Sequence, residues 1–175
     1  GLTIDETRRE KLAEKARKYD FWLIEDDPYG ELWYDKKPPV SLRHFAPERT
    51  LRLGTLSKVL SPGLRLGYIV AKPEIRKIFS GLKSSMDLHT STFTQLVAAR
   101  VISEGTLKTH IPAVRAIYKG QCKAMLDALD EFMPKHSEIS WTHPTGGMFI
   151  WLHLPKTIDS AVLFKEAVAD KVAFV

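Results

Sequence analysis

Apolar and polar positions alternate along the chain in blocks that switch between helical and extended periods. Thr3 followed by Glu6 has the spacing of a capping box, and Leu12, Ala13 and Ala16 then make an apolar stripe that predicts a helix to about Tyr19. Phe21-Trp22-Leu23-Ile24 is an unbroken apolar run stopped by Glu25-Asp26-Asp27-Pro28, the pattern of a strand buried on both faces of a parallel sheet. After a proline-rich loop over 36–47, residues 51–54 and 66–70 predict two further strands. A stretch rich in hydroxyl and basic groups, residues 55–65, separates them.

Helical patterns follow at 73–84, 93–103 and, longest, 106–132. Pro112 is tolerable near the start of the last, and Pro134 comes just after its end. From Ser137 the period shortens to two strands, 139–142 and 148–152, then a helix at 160–170 and a closing apolar stretch, 172–175. The expected organisation is a larger unit over 1–120 that runs into the long helix, and the beginning of a smaller one over 121–175. No internal repeat or low-complexity segment is present. The first residue is not Met and the last segment is apolar, so a piece of a longer protein is expected.

Composition narrows the class. With 175 residues, 44% apolar and 27% charged, the chain has the make-up of an ordinary globular protein with material for a core. The apolar run 148–152 falls far short of the roughly 20 residues a membrane helix needs, so no membrane partner is expected. The N-terminal stretch has no basic region followed by an apolar one, so no secretory signal is expected in it. A single cysteine, Cys122, cannot close an internal disulfide, and a reducing cytoplasm fits best. The net charge of +5 is spread among acidic residues, the arrangement of a solvated surface, so no nucleic-acid partner is expected. The six histidines show no metal-ligand spacing, and no metal is expected.

In open α/β sheets ligands collect beyond the carboxyl ends of the strands, and two such loops are chemically loaded. One holds Asp26 and Tyr29; the other holds Thr55, Ser57, Lys58 and Arg65. These groups match what pyridoxal 5'-phosphate asks of a protein. Lys58 supplies an amine, made nucleophilic by cationic and aromatic neighbours, to condense with the aldehyde. Asp26 supplies an anion for the pyridine nitrogen and Tyr29 a donor for the ring oxygen. Thr55, Ser57 and Arg65 supply hydroxyls and a guanidinium fork for the phosphate. Ser57 lies outside any nucleophile-elbow pattern, so a hydrolase serine is not expected. Taken singly, each residue has a plainer reading: Lys58 as a surface lysine, Asp26 and Tyr29 as turn residues, Arg65 as half of an ion pair.

The segments Glu25-Asp26-Asp27-Pro28-Tyr29-Gly30-Glu31-Leu32 and Gly54-Thr55-Leu56-Ser57-Lys58-Val59-Leu60-Ser61-Pro62-Gly63-Leu64-Arg65-Leu66-Gly67 resemble fold-type I aminotransferases that use this cofactor. The likeness is closest to the class I/II branch of 2-aminoadipate and kynurenine aminotransferases. Asp87-Leu88-His89-Thr90-Ser91 and Pro144-Thr145-Gly146-Gly147-Met148-Phe149 resemble later segments of the same branch. The resemblance implies an α/β fold: part of a large domain with a mixed, mostly parallel sheet and helices on both faces, plus the start of a smaller α+β domain. It implies amino-group transfer from an amino acid of 2-aminoadipate, aromatic or branched type to a 2-oxo acid such as 2-oxoglutarate, in a homodimer. It assigns Lys58, Asp26 and Tyr29 to catalysis, and these three with Thr55, Ser57 and Arg65 to the cofactor. Two alternatives stay open: a cofactor-binding regulatory domain of a transcription factor, and a lyase using the same cofactor.

Overall fold

The computed structural model of the protein describes residues 2–175. Helix α1, Glu6–Lys18, is capped by Asp5, whose carboxylate accepts from the Arg8 amide at 2.8 Å. The expected pairing of Thr3 with Glu6 does not form. An aspartate directly before the first turn reaches the orphan amide and adds negative charge where the helix dipole favours it.

Strand β1, Leu23–Asp26, starts two residues later than the apolar run suggests. The end of α1 takes the earlier residues: Tyr19 N donates to Lys15 O at 2.9 Å, Phe21 N to Ala16 O at 3.1 Å, and Asp20 turns the chain at φ 54°. Amides captured by the last carbonyls of a helix are not free to pair in a sheet. Nor is β1 buried on both faces. Ile24 is 65% exposed, while Glu25 on the other face is buried.

The short helix α2, Leu42–Phe45, follows, and strands β2, Thr50–Thr55, and β3, Gly67–Val70, complete the sheet. Its order is β1-β2-β3, with β1 and β2 parallel and β2 and β3 antiparallel, a mixed sheet as the resemblance implied. The register sets Asp26 beside Leu53 and Glu25 beside Arg52. Since side chains alternate along a strand, Asp26, Leu53 and Thr55 share one face and Glu25, Arg52 and Gly54 the other. Helices α1 and α2 pack on the Glu25 side, where Ala13, Ala16, Leu42 and Thr50 are buried. The Asp26 side stays open among the described residues.

Three helices follow: α3, Pro73–Asp87; α4, Thr92–Ser103; and α5, Leu107–Phe132, which continues through Pro112. They expose large apolar side chains, including Met86 at 85% and Phe93 at 74%. The core expected from composition is correspondingly thin, with eight buried apolar residues among those described. The accessible surface is 12769 Å². A self-contained monomer of this mass would show about 8,700 Å², so the apolar helix faces call for further cover.

Beyond α5, strands β4, Ser140–Trp141, and β5, Leu152–His153, pair antiparallel, and α6, Ser160–Ala169, is capped by Asp159. Both strands are shorter than expected because the intervening chain pairs elsewhere. Trp33 bridges Gly146, Gly147 N donates to Leu32 O at 2.8 Å and Tyr34 N to Thr145 O at 2.9 Å. Residues 172–175 form no strand; Val172 N is taken by Ala167 O at 2.8 Å. No helix among the described residues is long and apolar enough to cross a membrane.

Candidate active site

Both loaded loops leave the same edge of the sheet. The first begins as the ladder runs out, with Asp27 N donating to Leu53 O at 3.3 Å and Arg52 Nη2 reaching Asp27 Oδ2 at 3.2 Å. Leu32 N closes a turn onto Tyr29 O at 2.8 Å, and the fully buried Leu32 side chain anchors it. Asp26 ends β1 exposed, and its carboxylate accepts no hydrogen bond among the described residues.

The second loop is closed at its base by Leu56 N to Leu66 O, 3.0 Å. Thr55 and Ser57 lock its entry: Thr55 Oγ1 accepts from Ser57 N at 3.1 Å, lies 3.0 Å from Ser57 Oγ, and donates to Leu66 O at 3.0 Å. A single helical turn follows, with Leu60 N on Leu56 O at 2.8 Å and Val59 buried beneath it. Lys58 stands in that turn, half-buried, next to the buried Val59.

Its Nζ lies 5.9 Å from the centroid of the Tyr29 ring, within range of a cation–π contact. Tyr29 in turn meets Phe149 edge to face, centroids 5.7 Å apart. Arg65 closes a 3-10 turn, Pro62–Leu64, in the left-handed region at φ 52° and ψ 41°. That conformation is uncommon for arginine. One guanidinium nitrogen bonds Pro62 O at 3.3 Å, and the exposed fork keeps other donors to give. Opposite Thr55 in the ladder stands Gly67, so the facing strand position brings no side chain toward it.

The six expected residues are therefore gathered in part. Lys58 with Tyr29, and Thr55 with Ser57, meet directly; Asp26 and Thr55 share a face; Arg65 stands at the far end of the Lys58 loop. Among the described residues no cluster of His, Cys, Asp or Glu could hold a metal ion. Sequence reasoning placed Phe149 only in the expected strand 148–152, yet its ring is packed edge to face on Tyr29. It also passed over Arg115, whose guanidinium lies 3.7 Å from the Trp33 centroid. Tyr34 donates to Gly147 O at 2.9 Å, and burial, with the neighbouring Cys122 thiol, pushes its phenol up to about 12. In Asp87-Leu88-His89, a tight turn closed by His89 N on Asp87 O at 2.8 Å, Leu88 sits at φ 62° and ψ −68°, a strained backbone for a branched residue.

The comparisons agree with this architecture. The family model described as aminotransferase class I and II matches residues 1–174. The aromatic-amino-acid aminotransferase 1 of Thermococcus litoralis is 44% identical over 176 positions, covering all of this chain and 42% of the relative. The 2-aminoadipate transaminase of Thermus thermophilus is 37% identical over 95% of this chain and 42% of its own length. The crystal structure of Pyrococcus horikoshii kynurenine aminotransferase, in complex with PMP and substrates, superposes with TM-score 0.94 at 45% identity. That match covers all of this chain and 43% of the solved one. The chain thus spans about two fifths of the length of the curated relatives it matches.

Proposed function

The chain belongs to the class I and II aminotransferase family, and on that premise we propose that it carries the reactive lysine and cofactor contacts of a pyridoxal 5'-phosphate-dependent aminotransferase. The residues present fit that cofactor. An unpartnered carboxylate, an amine over a phenol ring, a hydroxyl pair and an exposed guanidinium fork stand at one sheet edge. The observation that carries the reading is Lys58 Nζ 5.9 Å from the Tyr29 ring, at the edge where Asp26 and Thr55 share a face.

When bound, the cofactor supplies an aldehyde for amine condensation and a pyridine ring that draws electrons from the substrate α-carbon. Asp26 holds a proton on the ring nitrogen through a charge-assisted hydrogen bond. Tyr29 donates its phenol proton toward the ring oxygen, while Thr55, Ser57 and Arg65 hold the phosphate. Lys58 Nζ would hold the cofactor through its aldehyde carbon, and the same amine, once displaced by the substrate amine, would serve as the base and acid that moves the substrate α-proton.

The donor is an amino acid of 2-aminoadipate, aromatic or branched type, and the acceptor a 2-oxo acid such as 2-oxoglutarate. The names of the relatives support the aromatic and 2-aminoadipate donors. We assign residues 1–120 to the large domain and 121–175 to the start of the small one. The uncovered apolar faces of α3 and α4 support a homodimer of the complete protein, and the single free Cys122 supports a reducing cytoplasm as its place of work.

Borohydride reduction of the full-length protein with cofactor, followed by peptide mass analysis, tests the site: the label is expected on Lys58. Lys58→Ala is expected to lose both label and turnover. Normal turnover by Lys58→Ala would refute the reading, and DNA retention without turnover would favour the regulatory one.

A further inference from the structure

We propose that Arg52 and Arg115 are positioning residues, which hold Tyr29 against Lys58 by gripping the acidic residues on either side of it. The proposal rests on the role given to Tyr29 above. Asp27 and Glu31 stand two residues before and two residues after Tyr29, and each is held by an arginine. Arg52 Nη2 lies 3.2 Å from Asp27 Oδ2, and Arg115 Nη2 lies 3.0 Å from Glu31 Oε2. Between the two grips the chain arches over a cavity of about 350 Å³, lined by Asp27, Gly30, Glu31, Arg52, Leu107 and Ile111 among others. Across the open space no packing supports the arch from below, so beside the buried Leu32 and the Phe149 ring it depends on the grips at its ends.

An exposed ion pair alone would be a weak support. The Arg115 grip is more than that. Its side chain is 16% exposed, its Nε donates to the Glu31 carbonyl at 2.6 Å, and its guanidinium stacks on Trp33 at 3.7 Å. A planar fork makes these three contacts together, which an ammonium cannot. At the other end, a Cβ on Gly30 would stand 2.2 Å from Asp27 Oδ2, so the carboxylate folds across the arch backbone to meet Arg52. Arg52 Nε is buried without a partner, which leaves Asp27 to hold this guanidinium in place. Releasing either grip lets the arch settle toward the cavity and carries Tyr29 away from Lys58.

Two measurements on the full-length protein test this. Without cofactor, Arg115→Ala and Arg115→Lys should both speed hydrogen exchange at the Leu32 amide, which donates to Tyr29 O. Lys123→Ala, which removes an exposed pair farther along α5, should not. With cofactor bound, Arg115→Ala should lower kcat about 10- to 100-fold, the scale of a misplaced catalytic group, and shift the pH titration of the cofactor's absorption. In a Tyr29→Phe background the same substitution should add little to either. Equal effects in both backgrounds, or unchanged Leu32 exchange, would overturn the proposal. Should Arg115→Ala fail to fold, Arg115→Lys carries both tests. A full-length protein with no cofactor on Lys58 sinks only the functional reading, because the exchange measurement needs no cofactor.

Discussion

Arg9 Nη1 stands 3.0 Å from Glu25 Oε1, and Glu25 is the residue next to Asp26. Glu25 also accepts from the Leu42 amide at 3.0 Å and from the Ser41 hydroxyl, so this buried carboxylate is satisfied from α1 and α2 together. Neighbours on a strand face opposite ways, so anchoring Glu25 under the helices turns Asp26 outward on the open face. Removing one partner of a buried pair strands the other. Glu25→Ala in the full-length protein should therefore cost about 3–5 kcal/mol in denaturant unfolding. Arg9→Ala should cost a similar amount, and the double variant less than the sum. Strictly additive losses would count against a shared network.

Asp26→Asn should keep the cofactor but lose rate. A neutral amide forgoes a charge-assisted bond of about 1.5–3 kcal/mol, which corresponds to a fall in kcat of roughly 10- to 160-fold. Steady-state kinetics beside a cofactor-binding titration check both halves. Unimpaired kcat would remove Asp26 from its role.

Gly146→Ala should loosen the contact between the Tyr29 arch and the later segment. A Cβ there would stand 2.7 Å from both Leu32 O and Trp33 Cα, and neither backbone atom can swing aside. The expected loss is about 1–3 kcal/mol, the cost of forced overpacking. Thermal unfolding of the full-length variant measures it, and an unchanged midpoint would mean that the bridge is dispensable.

Tyr34 should give the protein an alkaline limit. Burial first, then the charge and hydrogen bond of Cys122, raise its phenol from 10.0 to about 12. The unfolded chain ionises this group first, so its contribution to stability is complete below pH 10.0 and declines as pH rises toward about 12. Stability of the full-length protein followed across that window should fall less steeply for Tyr34→Phe. Identical slopes for variant and parent would assign the decline to other groups.

Much of this was legible in the residues themselves. Helices α3 to α6 lie close to where the 3.6-residue period put them, since that period is a local property of the chain. Errors gathered where neighbouring groups competed for the same amides. Phe21 read as a strand residue by apolarity and Val172 as the start of a closing apolar stretch, but each donates to a carbonyl of the preceding helix. Asp5 displaced Thr3 as the cap for an equally local reason, its direct place before the first turn.

The sequence by itself determined the chemistry of Thr55, Ser57, Lys58 and Arg65, because one short loop after one strand carries them all. Only the tertiary structure decided which face Asp26 takes, that Phe149 meets Tyr29, and that Arg115 grips Glu31 across 84 residues. Hydrophobic period and turn chemistry act over a few residues. Strand register, and the closing of distant segments onto one another, depend on the packed whole.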